Sequence, residues 1–155
     1  MPTTLDPSVL DTALFIPDLR TRRKESVLQE LVARAHEAGV VREPELLIET
    51  LYLRERLGST AIGKSVAVPH ARSIAVIEAR VLVARSRRGI EWKAEDELPV
   101  QLVFLVITPG EFSIEAHHEW VARAVTFARL QRKRAKLLEA TTSEAGATVL
   151  REFTA

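Results

Sequence analysis

Between positions 22 and 38 the apolar residues Val27, Leu28, Leu31, Val32 and Ala35 recur at the three- and four-residue spacing of one helix face, and Gly39 supplies a stop. This predicts an amphipathic helix from Arg22 to about Ala38, entered through Thr21-Arg22-Arg23-Lys24. A second helix is predicted to open at Pro44, which suits a first turn, to carry Leu46, Leu47, Thr50 and Leu51, and to end near Gly58 with Arg54 in its last turns. The pattern then changes to short β-type runs at Val66 to Pro69, Ala79 to Ala84 and Val100 to Ile107, the last with so few polar positions that it reads as a central strand. After Pro109-Gly110 the helical period returns in Trp120, Val121, Ala124, Val125 and Ala128. Two short helices follow, from about Arg132 to Ala140 and from Ser143 to Phe153, the last opened by a capping box of Thr141 and Glu144.

Helices first, strands in the middle and helices at the end predict an α/β fold in which a mixed β-sheet is covered by helices. A chain of 155 residues fits one domain spanning 1–155, and no repeat, low-complexity segment or linker divides it. Cysteine is absent, which removes disulfides, thiolate metal sites and a thiol nucleophile. The longest apolar stretch, Leu98 to Pro109, falls short of the ~18 residues a membrane helix needs, and Met1 to Asp6 lacks a basic region followed by an apolar one, so a cytoplasmic protein without membrane insertion is expected. With 22 basic against 21 acidic residues the formal charge is +1, which gives no electrostatic case for wrapping nucleic acid. The cluster Gln131-Arg132-Lys133-Arg134 reads as a solvated turn.

Chemistry concentrates between Arg54 and Arg72. Gly58 and Gly63 permit backbone conformations closed to other residues, Ser59 and Thr60 offer hydroxyls and amides, and the run Val66-Ala67-Val68 would hold His70 at its far end. Such a loop has the make-up of an anion cradle. Pro69 limits the chain in front of His70, so the imidazole is presented rather than left to wander. The spacing alone leaves two readings of His70 open, a nucleophile or a side chain that merely closes a strand.

The run Arg54-Glu55, Leu57-Gly58-Ser59-Thr60 and Val66-Ala67-Val68-Pro69-His70-Ala71 resembles the signature of the fructose/mannitol-type (type 2) enzyme IIA domains of the bacterial phosphoenolpyruvate-dependent phosphotransferase system, including their nitrogen-regulatory branch. Arg88-Gly89-Ile90-Glu91-Trp92, the Val100–Ile107 strand, Pro109 and a histidine-bearing helix follow that family's order, so the resemblance runs from about Val27 to Phe153. One position departs: Ser65, in Lys64-Ser65, stands where the family usually has a glycine. The resemblance implies that His70 accepts a phosphoryl group from the system's histidine-containing carrier protein on Nε2, with Nδ1–H held by a backbone carbonyl. It further implies an arginine fork from Arg54, a hydroxyl from Thr60 beside Ser59, and a second histidine at the start of the helix after the central strand.

Two histidines compete for that place. At about 100° per residue the apolar positions Trp120, Val121, Ala124, Val125 and Ala128 centre on a direction that His117 shares, while His118 points about a quarter-turn away. His117 is therefore expected to face the sheet, either in the active site or as a buried histidine satisfied by a carbonyl, and His118 to lie on the rim. His36 reads as a surface histidine, and Trp92 and Trp120 as packing residues. No carboxylate stands at a metalloprotease spacing from a histidine pair, and no motif implies a metal, nucleotide or other cofactor. Two roles follow from the resemblance: a nitrogen-regulatory-type signalling protein, towards which the reading leans, or a sugar-specific enzyme IIA that passes phosphoryl to an enzyme IIB cysteine. The partner would accordingly be a regulatory target protein or an enzyme IIB.

Overall fold

The computed structural model describes residues 7–10 and 12–152; positions 1–6, expected to carry no leader, and Phe153, the expected end of the last helix, lie outside the described residues. A 3-10 turn at Pro7–Leu10 precedes six strands and five helices: β1 Leu14–Ile16, α1 Lys24–Glu37, α2 Pro44–Leu57, β2 Ala61–Gly63, β3 Val66–Ala67, β4 His70–Ser73, β5 Arg80–Ile90, β6 Val100–Pro109, α3 Ile114–Ala128, α4 Gln131–Glu139 and α5 Ser143–Glu152. The predicted helices are all present within a residue or two, and Pro44 does open α2.

The strands form one mixed sheet in the order β1-β5-β6-β3-β2, with β4 pairing β6 beyond the end of β3. β6 is central, as its apolar run predicted. It pairs antiparallel with β5 on one side, and on the other parallel first with β3 and then with β4. Alternation along β6 splits the core in two. Val103, Leu105 and Ile107 face α1 and α2 with Leu28, Leu31, Leu47 and Leu51, whereas Leu102, Phe104 and Val106 face α3 to α5 with Phe127, Leu137 and Leu150.

Four expectations need correction. β5 runs six residues past Ala84, because Arg85 and Ser86, polar in sequence, are buried: Arg85 donates to the carbonyls of Pro17 and Leu138, which satisfies its guanidinium. β1 and β2, three residues each, were too short to carry a period. His70 does not end the Val66 strand but begins a separate one, β4. The cap of α5 is Thr142 and not Thr141, since the Ala145 amide donates to Thr142 Oγ1 at 3.1 Å.

The departure at Lys64-Ser65 also acquires a physical meaning. Both residues have positive φ, 58° and 64°, and form the two-residue turn of the β2–β3 hairpin, a geometry in which glycine is the unstrained choice. Neighbours hold the strained turn in place: Lys64 N–H donates to the Asp96 carboxylate, and the Ser65 carbonyl accepts from the amides of Gln101 and Leu102.

Gly146 marks a close approach of α5 to β1, because a Cβ there would lie 2.0 Å from the buried Phe15 ring. In an open helix Gly→Ala gains about 1 kcal/mol. Overpacking a filled core costs about 1–3 kcal/mol and should win here. Gly146→Ala is therefore expected to lower the unfolding free energy by about 1 kcal/mol in a urea titration; a gain would mean that α5 is not seated against β1.

Candidate active site

The site forms where the sheet edge is interrupted. Pro69 has no N–H to give, so the edge of β6 is paired by β3 as far as Ala67 and by β4 from His70 onward. At the join, Val68 N–H donates back to Thr60 O and Val106 N–H donates to Pro69 O. The Val68 carbonyl turns to the His70 ring, with Nδ1 2.9 Å away. A carbonyl only accepts, so Nδ1 carries the proton and Nε2 keeps its lone pair.

His70 is partly buried and lies on the face of the sheet that carries α3. Its register partner Val106 points to the same face, as does Thr108 two residues on. Over that edge stands His117, whose ring centroid is 5.6 Å from that of His70. His117 is only 6% exposed, confirming the helix phase, and its Nδ1 is 2.7 Å from Thr108 Oγ1. That contact works in either direction; with the hydroxyl donating, the ring proton sits on Nε2. His118 is exposed and its ring lies 5.8 Å from that of His117. Ser113 caps α3 by accepting from the Ala116 amide, which fixes where the helix starts and therefore which histidine turns inward.

Burial, followed by the nearby charges of Arg54 and His118, holds the His70 pKa below its ordinary value against the pull of the Val68 carbonyl and Glu55. Burial and then the charges of His70, His118 and Arg72 bring His117 from 6.5 down to about 4. Both rings are thus neutral at pH 7. Among the described residues no group of three or more His, Cys, Asp or Glu side chains is arranged to hold a metal ion.

Arg54 leaves the last turn of α2 with Nη1 on the Gly58 carbonyl at 3.0 Å, near enough for its charge to bear on His70. The loop hydroxyls are otherwise engaged. Thr60 is buried and its Oγ1 donates to Glu55 Oε2 and accepts from Trp92 Nε1–H, while Ser59 Oγ donates to the Trp92 carbonyl. Glu55 Oε1 also accepts from Thr60 N–H and from Lys24 Nζ, at 3.3 and 3.1 Å. Glu55, Trp92 and Lys24 therefore fasten the loop from beneath, and Trp92, expected only to pack, also gives a hydrogen bond. No motif in the sequence marks Thr108 or Arg72. A hydroxyl ending an apolar strand, and a cation two residues from His70, were the available signals. His36 is exposed as expected, its Nδ1–H donating to Val41 O at 2.9 Å.

The family model for the "Phosphoenolpyruvate-dependent sugar phosphotransferase system, EIIA 2" matches residues 8–152. The chain belongs to this family. Relatives of this EIIA chain include the fructose-specific EIIABC component of Bacillus subtilis, 31% identical over 83% of this chain and 20% of that protein. The nitrogen regulatory protein of Bradyrhizobium diazoefficiens is 39% identical over 61% of each chain. The EIIA chain thus spans a fifth of the first relative and about three fifths of the second. Its fold superposes on the nitrogen regulatory protein IIA-Ntr of Neisseria meningitidis with a TM-score of 0.78 and 25% identity, covering 95% of this chain and 99% of that one.

Because folded His117 releases its proton more readily than it would in the unfolded chain, the unfolded chain binds more protons between pH 6.5 and about 4. Stability should fall as the pH drops through that window, and His70, shifted the same way, adds to the slope. His117→Gln is expected to flatten the dependence of unfolding free energy on pH below 6.5; a slope equal to wild type would show that this ring is not shifted.

Proposed function

We propose that this EIIA protein accepts a phosphoryl group on Nε2 of His70 from the phosphohistidine of the system's carrier protein. The observation that carries this reading is the Val68 carbonyl on Nδ1, which fixes one tautomer and leaves a single nucleophilic nitrogen at the sheet edge. In the transfer, the Nε2 lone pair forms the new N–P bond while the donor's N–P bonding pair returns to the donor ring nitrogen. Nδ1 keeps its proton throughout, and the Val68 carbonyl stabilises the positive ring that results. Charge spreads over the three equatorial oxygens, so the protein's task is to aim donors at them. Arg54 supplies a planar fork and His117 its Nε2–H, with Thr108 holding the tautomer. Thr60 and Ser59 contribute by shaping the loop, since their hydroxyl protons are engaged within the protein.

The role we infer is regulatory. The likeness to IIA-Ntr over nearly the whole of both chains and the 39% identity to a nitrogen regulatory protein support it. The fructose-specific relative supports the second reading, delivery of the phosphoryl to an enzyme IIB cysteine. Offering the phosphorylated protein a fructose-type enzyme IIB separates the two: rapid transfer would favour the sugar route.

Phosphoenolpyruvate, enzyme I and the carrier are expected to add one acid-labile, base-stable phosphoryl group, and His70→Ala to abolish it by intact mass; full labelling of that variant would overturn the assignment. His117→Ala should slow labelling about a hundredfold while leaving it on His70. His118→Ala should stay close to wild type, and the reverse order of initial rates would remove His117 from the site.

A further inference from the structure

Arg72 follows His70 by two residues on β4, so its side chain leaves the same face of the sheet, at the roughly 7 Å spacing that long side chains span. It pairs with Thr108, the residue bonded to His117, which brings the three side chains to one corner. Its Nη1 donates to the Phe112 carbonyl at 2.8 Å and to the Gly110 carbonyl at 3.4 Å. That anchor uses one edge of the guanidinium. Among the described residues no hydrogen bond engages Nε or Nη2, and no carboxylate forms an ion pair with Arg72. Its charge is felt by His117. An exposed arginine tied to two carbonyls has a simpler reading as a loop brace. What that reading does not account for is an uncompensated cation, pre-oriented by its anchor, whose charge reaches His117 from the strand and face that carry His70.

We propose that Arg72 is a second phosphoryl-binding residue, giving Nε and Nη2 to oxygens of the phosphoryl group on His70 while Nη1 stays on Phe112 O. The proposal rests on the reading that His70 is the acceptor. Arg54 arrives from the last turn of α2 and Arg72 from the strand itself, so the dianion is bracketed by two guanidiniums of different origin. A fork held by one edge before the phosphoryl arrives has little freedom left to lose when it binds. Lysine would keep the charge but lose both the anchor and the two-oxygen geometry.

The test compares wild type, Arg72→Lys and Arg72→Gln, checked for folding by circular dichroism, with two donors: the phosphorylated carrier and phosphoramidate, a small donor that needs no protein docking. Initial rates on Arg72→Gln should fall roughly tenfold or more with both donors, with Arg72→Lys between. The second readout is the 31P chemical shift of the phosphorylated protein against pH. Removing a cation from the phosphoryl oxygens should raise their apparent pKa in Arg72→Gln. Slowing with the carrier alone and an unchanged 31P titration would make Arg72 a docking residue and overturn the proposal. So would slowing accompanied by a displaced His117 ring signal and an unchanged 31P titration, the mark of a brace. Absence of label on wild-type His70 would instead remove the proposed function, and this inference with it.

Discussion

Pro69 has no amide proton to give to a ladder, and it stands where one edge of β6 passes from β3 to β4. Val68, just before it, gives its amide to Thr60 O on the side away from β6, and its carbonyl lies on that same open side. There it meets the His70 ring, and the proton on Nδ1, the lone pair on Nε2 and the direction of the imidazole all follow from it. The break needs support on both sides. Thr60 O takes the Val68 amide and Pro69 O takes that of Val106, so both flanks of the interruption are tied down.

Around that break the charges are sorted. The carboxylate nearest in sequence to Arg54, that of Glu55, is turned inward, where the Thr60 hydroxyl and amide and the Lys24 ammonium occupy it. The outer side keeps two guanidiniums and two neutral rings. Such a surface repels a further cation and receives an anion, and the low local dielectric beside His117 strengthens both effects. The buried acid therefore does its work as an anchor while the exposed bases stay available.

Most of the scaffold could be read from the chain because it obeys simple periods. The helical stripes of α1, α2 and α3 and the apolar run of β6 place both core layers, and the phase of α3 alone picks out His117 over His118 as the buried ring. What escaped reading lacks a period. β1 and β2 are too short to show one, β4 has a single buried apolar residue in Ala71, and the far half of β5 hides behind Arg85 and Ser86, whose burial is made tolerable by partners distant in sequence. The site was legible as a segment and illegible as a network for the same reason. Hydroxyls at 59 and 60 look outward in a one-dimensional chain, and only Trp92 and Glu55, brought there by folding, show where their protons go.

The parallel pairing of β4 with β6 also orders events in time. Parallel neighbours need a long crossover, and here the chain between them includes all of β5, so that Arg72 meets Gly110 across 38 positions. Closing a loop of that size costs entropy before any contact returns it. A nascent chain, or one clipped ahead of β6, carries His70 and its proline as an unframed segment, with neither Thr108 nor His117 beside it. The frame around this histidine is thus a property of the completed sheet, and on the proposed reading no half-built acceptor meets a donor while the chain is still being made.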